Sequence, residues 1–509
     1  MNRTFQACLA LAIGGAVLHA LSFANSGPID DDFICFRYAR NLLQGDGLVF
    51  NPGERIEGFT APLWVLVIAA GLALGWNPVT LSLTLSALAC GLAAWAVGSA
   101  WRTLRPESSW PVPALLVATS PALAFHGAAG LGTTLLASLL VTWLALGLRA
   151  EARQESAWGA GIALALACLL RQEAALFAIP FFFGPGRRRG AAWLPLAALA
   201  AWTCLRWLYY GGLLPMTYTV KKLPVAEDLA RGFDYFILST LVAGVGLYLL
   251  VAVVGHLRSE RESSWLRCAI VGLVLHTAYV IWVGGDYIAL ARFFVPTLPL
   301  AMLMACLGWT DALGRGRGLG CVALGAAVLL PQALQVKLSQ GLVETFPQAR
   351  ILDDHCRPYL ALLHEFDEQR WESLGRYFGE VVPEDRTVAL SPIGAFSWYS
   401  GLEIVDVLGL TNASAIRREP DLDIALKGHH RSDGAWVLSQ EPDYMILGNG
   451  VRDQAGWLVV NPWEAGIVKD ERFLREYRLE SVPIPGGADL DLYRRRSAPP
   501  LPGAHRDAR

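Results

Sequence analysis

Apolar runs long enough to cross a bilayer recur along the first two thirds of the chain, and nothing else in the sequence constrains its fold as strongly. Val112–Phe125, Leu135–Leu148 and Trp193–Leu208 carry one charge among them. In hydrocarbon no water satisfies an open backbone, so such runs close their hydrogen bonds internally as helices. About 20 residues are needed for each crossing of about 30 Å. Of the 509 residues, 54% are hydrophobic and 17% charged, with a mean hydropathy of +0.39, where a soluble domain carries about a quarter charged residues. That excludes an ordinary cytosolic enzyme and predicts a polytopic α-helical membrane protein. Forty-two Lys and Arg face 44 Asp and Glu for a net charge of -2, so no single-sign field exists to recruit a nucleic acid. The nine cysteines are scattered with no C-x-x-C pair, which supports neither a zinc site nor a disulfide framework.

Loop charge orients the spans, because Lys and Arg are retained on the cytoplasmic side. Arg3, Arg102 with Arg105, Arg149 with Arg153, Arg187–Arg189, Arg258 with Arg261, and Arg315 with Arg317 form that set. Spans then fall near 5–24, 78–99, 111–127, 131–148, 158–170, 174–184, 190–209, 234–254, 266–283, 292–310 and 317–335, about eleven crossings. The first is expected to be an uncleaved signal anchor. The odd count puts the C-terminus outside, in the periplasm of a cytoplasmic (inner) membrane. The run Pro62–Gly75 would invert every later loop if it crossed, so it is expected to be a re-entrant or interfacial helix. Residues 1–340 thus form a membrane domain with outer segments at 25–77, 127–131, 171–173, 210–233 and 284–292. Residues 341–498 have the composition of a soluble α/β domain, with a charged helix at Tyr359–Phe378 and strands at Thr387–Leu390, Ile404–Val407, Tyr444–Leu447 and Trp457–Val460. The tail 499–509 is Pro-rich, charged and expected to be disordered.

The outer segments hold the unusual residues. Asp30-Asp31-Asp32 directly follows the first span and opens an amphipathic stretch that contains Arg37. One Asp serves as a helix cap through its side-chain acceptor and the dipole; three packed carboxylates raise one another's pKa and can take a proton near neutral pH. Arg55 and Glu57 lie in a turn-rich loop, where they either decorate the turn or line a polar substrate cleft. Arg171 and Glu173 form a salt-bridged hairpin tip or, through the guanidinium fork, a hold on an anionic headgroup. Tyr210 and Lys221 belong to an interfacial group that anchors a span or binds a lipid phosphate. Asp286, followed by Arg292, sits between two apolar runs and serves either structural pairing or substrate contact. The sequence contains no Walker loop, no G-x-G-x-x-G and no H-E-x-x-H.

Asp30-Asp31, Ile34, Phe36-Arg37-Tyr38-Ala39, Gly45, Gly47-Leu48-Val49, Asn51-Pro52-Gly53-Glu54-Arg55 and Glu57-Gly58 together resemble the first outer loop of the GT-C bacterial membrane glycosyltransferases. The likeness is greatest to the terminal β-arabinofuranosyltransferase type. Arg171 with Glu173 resembles that family's R-P-E turn, Tyr210-Gly211 with Pro215 and Thr217 its Y-Y-G to P-N-T segment, and Gly284-Gly285-Asp286 with Arg292 its G-G-D to R-F motif. The resemblance implies a polyprenyl-phosphate sugar as donor, a glycan, lipopolysaccharide or glycoprotein as acceptor, and transfer with inversion on the outer side of the membrane. It assigns the general base to Asp30 or Asp31 and substrate contacts to Asp32, Arg37, Arg55, Glu57, Arg171, Glu173, Tyr210, Lys221, Asp286 and Arg292. No metal ligand is assigned, although carboxylates suit Mg²⁺ or Mn²⁺. Three positions depart from the family: Asp32 stands where a small residue is usual, Gly132 where a G-L-E turn has its Glu, and Met216 where Asn follows Pro215. Two other classes compete with a transferase: a flippase or transporter for a lipid-linked sugar, and a non-catalytic envelope or motility assembly factor.

Overall fold

A computed structural model of the chain describes residues 3–24, 27–183, 189–259, 261–288, 290–313, 368–414, 418–424, 427–452, 457–484 and 489–506. The expected span 317–335, Arg187, Arg188, Arg315, Arg317 and the domain boundary at 340 lie outside the described residues. Its membrane part is built on helices α1 (Arg3–Leu21), α4 (Pro78–Leu104), α7 (Thr133–Arg153) and α13 (Ser264–Trp282), the four long and apolar enough to cross a bilayer. The longest, α4, starts where the Asn77 side chain accepts from the Thr80 N–H at 3.1 Å and Pro78 needs no partner for a missing N–H. Its small residues let α1 approach: a Cβ on Gly91 or Gly98 would lie 2.8 or 2.4 Å from Val17 or Leu9, the close contact that stabilises helix pairs in lipid.

The remaining apolar helices among the described residues are shorter, bent or interrupted by proline. Helices α5 (Val112–Thr119) and α6 (Pro121–Ala129) meet at 56°, and α11 (Val225–Ala243) and α12 (Val245–Leu257) at 89°. Pro121 removes a helical donor and Gly244, at φ 69°, ends α11. Counting each bent pair as one span gives up to six among the described residues. Segment 174–184 is not a span: it lies in 3₁₀ turns, Gln172–Phe177 and Ile179–Phe183. Helices α3 (Pro62–Ala73) and α8 (Trp158–Leu170) have 12 and 13 residues, and α9 (Arg189–Tyr210) runs through Pro195. The other helices of this part among the described residues are α2 (Asp30–Gln44), α10 (Met216–Lys221) and α14 (Leu298–Leu313).

The C-terminal part is α/β. A helix at Glu368–Val381 packs against a six-stranded mixed sheet in the order β2-β1-β3-β5-β4-β6. Parallel β1 (Thr387–Leu390), β2 (Glu403–Asp406) and β3 (Tyr444–Ile446) fall where apolar runs predicted strands. Trp457–Val460 contributes one isolated bridge, Arg452 to Leu458, rather than a strand. Besides β6, strands β4 (Tyr477–Val482) and β5 (Leu490–Arg495) are not signalled by apolar runs, because charged residues interrupt them; the buried Glu480–Arg494 pair, at 2.8 Å, absorbs those charges inside the sheet. The tail is ordered as far as Arg506. Leu501 is buried, the Pro499 carbonyl accepts from the Tyr444 hydroxyl at 2.8 Å, and β6 (His505–Arg506) pairs with β4.

Candidate active site

Successive helical residues point about 100° apart, so three adjacent aspartates at the start of α2 face three different surroundings. Asp30 turns to the C-terminal domain and accepts from the Gly394 and Ala395 N–H groups at 2.9 and 2.7 Å. Burial pushes its carboxyl up to about 6, against those two bonds and with help from Asp31 and Asp406. Asp32 is fully buried and accepts from Trp64 Nε1 at 2.6 Å, Ser82 Oγ, and the Leu131 N–H at 3.1 Å. Burial raises it to about 6 as well, despite those bonds. Of the three, Asp31 keeps the most open carboxylate: its side chain is 25% exposed, and Arg292 Nη1 donates to it at 3.5 Å.

Cations gather around Asp31. Arg292 Nε pairs with the buried Asp286, and burial of Asp286 is overridden by Arg292 and Lys221, which hold its carboxyl below the usual range. Leu290 and Ala291, at φ 55° and 59°, adopt the left-handed region just before Arg292. For residues with a Cβ this costs of order 1–3 kcal/mol each, and such strain concentrates at functional sites. Arg171 bonds Glu173 at 2.7 Å and Thr60 at 3.0 Å, and the Arg171 and Arg292 guanidinium carbons lie 5.0 and 5.5 Å from the Phe293 ring. Burial would raise Glu173, but Arg171 wins and depresses it. Lys221, at the end of α10, has its ammonium 5.8 Å from the Tyr287 ring and no hydrogen bond among the described residues. Burial lowers its pKa and Arg292 and Arg171 push the same way, against Asp286 and Asp31. The result is a half-buried carboxylate beside a cluster in which Arg171, Arg292 and Lys221 face Asp286 and Glu173.

Several residues expected at the substrate do other work. Glu57 takes a two-point ion pair with Arg206, whose Nη2 lies 3.1 Å away, and the side chains are 2% and 1% exposed. Arg37 is buried and clamps the first outer loop to the C-terminal domain by donating to the Phe50 carbonyl (2.7 Å), Asn51 (3.2 Å) and the Ser397 carbonyl (3.1 Å). Arg55 is exposed and lies over the Tyr209 ring at 5.0 Å. Tyr210 donates to the Leu48 carbonyl at 2.7 Å. Asp30 and Asp32 spend their oxygens on protein donors, as described. Lys427 and His429, which no motif singles out, join this region, together with Trp463, one of the outer-domain tryptophans able to stack on a glycan. The buried Lys427 pairs with Asp228 at 2.9 Å and with the Val283 carbonyl, and so draws His429 and Trp463 of the C-terminal domain towards Tyr287. Among the described residues no group of three His, Cys, Asp or Glu side chains is placed to hold a metal ion.

Two of the family departures lie side by side. Asp32 accepts from Leu131, the neighbour of Gly132, and Gly132 has φ +67° with a Cβ position 3.1 Å from Trp64. A glutamate there would be strained and crowded, while Asp32 supplies a carboxylate to the same turn. Met216 starts α10 with its N–H on the Glu57 carbonyl at 3.0 Å, a bond that any residue but proline makes.

Residues 361–493 match the family model of a domain of unknown function (DUF8728). A terminal β-(1->2)-arabinofuranosyltransferase of Corynebacterium glutamicum is 27% identical over 55% of this chain and 49% of its own length. A protein of the same name from Mycobacterium tuberculosis is 29% identical over 54% of this chain and 52% of its own length. The chain therefore spans about half the length of the curated relatives it matches. Among solved structures, ArnT from Cupriavidus metallidurans bound to undecaprenyl phosphate aligns over 78% of this chain and 85% of its own, with a TM-score of 0.52 and 12% identity. The chain shares its fold with ArnT. With its apolar helices, that makes the chain a helical membrane protein of this fold, similar in sequence to terminal arabinofuranosyltransferases.

Proposed function

We propose that this chain is an inverting glycosyltransferase that moves a sugar, arabinofuranose in the leading reading, from a polyprenyl-phosphate donor to a glycan or glycoconjugate acceptor. The reaction takes place on the outer face of the cytoplasmic membrane, with the C-terminal domain in the periplasm. The observation that carries this reading is the opened Asp31 carboxylate facing Arg292, with Lys221 and Arg171 close by. The names of the two sequence relatives support the sugar, and the undecaprenyl phosphate of ArnT supports the lipid carrier.

In this mechanism the acceptor hydroxyl oxygen attacks the anomeric carbon from the face opposite the phosphate. The bond from that carbon to the phosphate oxygen breaks, and its electron pair leaves with the polyprenyl phosphate. Asp31 takes the hydroxyl proton, as a positioned general base does for a typical gain of about 10²- to 10⁴-fold. Lys221 and Arg292 stabilise the negative charge that grows on the leaving phosphate, and Arg171 orients it through its remaining fork. No step runs through a metal: Asp30 and Asp32 are committed to protein donors, and Asp31 sits among cations that oppose a second positive charge.

The test is release of free polyprenyl phosphate by the purified protein in detergent, from a panel of polyprenyl-phosphate pentoses and hexoses with short glycans as acceptors. Release from one donor, lost in Asp31→Asn but kept in part by Asp30→Asn, is the expected result. Full release by Asp31→Asn would remove the proposed base. Carriage of intact donor across vesicles, with no cleavage, would move the assignment to a transporter.

A further inference from the structure

Tyr287, His429 and Trp463 form a line of rings that no family motif absorbs, and it is assembled from both halves of the molecule. His429 and Trp463 have centroids 4.4 Å apart and planes at 52°; Tyr287 meets His429 edge to face at 5.8 Å and 83°. One end of the line lies at the reaction centre, since burial and then the charge of Asp31 raise the Tyr287 phenol. The other end lies in the C-terminal domain, where Trp463 Nε1 donates to Ser391 Oγ at 3.0 Å. All three rings are only half-buried.

The backbone holds this line in place. Lys427 is fastened to Asp228 and to the Val283 carbonyl. Gly428, at φ +89°, then turns the chain so closely over Lys221 that a Cβ would lie 3.4 Å from that side chain. His429 Nδ1 lies 3.2 Å from the Lys427 carbonyl, which only accepts, so Nδ1 carries the hydrogen. The Nε2 lone pair is left as an acceptor, without a hydrogen bond among the described residues. Burial pulls the His429 pKa down to about 4, which keeps the imidazole neutral and that lone pair available at ordinary pH.

We infer that Tyr287, His429 and Trp463 form the acceptor subsite, in which a sugar ring of the acceptor glycan stacks on the aromatic faces and one of its hydroxyls donates to His429 Nε2. This rests on the transferase reading above and names its acceptor-side contacts. The rings offer apolar faces with polar handles, as sugars require. They rise from Asp31 into the soluble domain rather than towards lipid, which suits a water-borne glycan and not the polyprenyl chain.

The test titrates acceptor and donor separately, with a short arabinofuranosyl glycan as acceptor probe and polyprenyl-phosphate arabinofuranose as donor. In His429→Ala and Trp463→Ala the acceptor KM rises about tenfold, the loss of roughly one good contact, while the donor KM moves less than twofold. Trp463→Phe and His429→Gln, which keep a ring or an acceptor atom and perturb folding least, restore most of the acceptor KM. An unchanged acceptor KM in both alanine variants, or a rise confined to the donor, would overturn the subsite. A fall in thermal stability with the acceptor KM intact would reduce these residues to a structural role and overturn it too. Absence of donor cleavage by the wild-type protein would instead refute the transferase reading, so the two failures are distinguishable.

Discussion

Two outer-loop ion pairs, Asp31 with Arg292 and Glu57 with Arg206, use the same chemistry to opposite ends. The second is closed: both side chains are at most 2% exposed, the contact is two-pointed, and Arg206 also donates to the Leu213 carbonyl at 3.2 Å. The first is more open, with a single 3.5 Å contact, a carboxylate 25% exposed and Lys221 close by without a hydrogen bond among the described residues. A buried pair with its remaining donors satisfied holds structure. A half-satisfied carboxylate beside cations can accept a proton and meet an anion.

Mutation should separate the two pairs. Asp31→Asn should lower donor cleavage by about 10²- to 10⁴-fold with little change in the melting temperature, measured by thermal unfolding in detergent. Glu57→Gln should do the reverse, costing about 3–5 kcal/mol of stability by leaving Arg206 buried and unpaired, while the protein that remains folded still cleaves donor. If both variants failed in the same assay, the contrast between the pairs would collapse. Gly132→Glu, which restores the family's carboxylate, should cost about 1–3 kcal/mol through its φ of +67° and the contact with Trp64, and should not raise activity; a gain in turnover would show that Asp32 does not stand in for it. Lys221→Gln should raise the donor KM about tenfold, a loss of about 1.4 kcal/mol, with folding preserved because no described hydrogen bond is broken.

The smallest expected effect concerns pH. The Asp30 carboxyl stands at about 6 in the folded protein against an ordinary 3.8. The native state then holds a proton that the unfolded chain releases, so this contribution to stability is full below about pH 4 and is lost as pH rises through about 6. Asp32 stands at about 6 as well, so Asp30→Asn should remove about half of the melting slope between pH 4 and 7. A wild-type slope left intact in the variant would assign it to Asp32 or another group.

The sequence by itself determined the class of the molecule and much of its local structure. Apolar length decided that helices would cross a membrane, because that property is carried by residues next to one another. Short apolar runs decided β1, β2 and β3 for the same reason, and that signal failed at β4 and β5, where Glu480 and Arg494 neutralise each other across the sheet. The motif string singled out Asp31, Asp286, Arg171, Glu173 and Arg292, and these converge in the structure with Lys221. Only the tertiary structure decided which of three adjacent aspartates stays open, why Glu57 is spent on Arg206, and that His429 reaches Tyr287. A side chain's role depends on the partner that chain closure brings to it. The donors that occupy Asp30 and Asp32 come from Gly394, Ala395, Trp64, Ser82 and Leu131, residues that no local pattern connects to the start of α2.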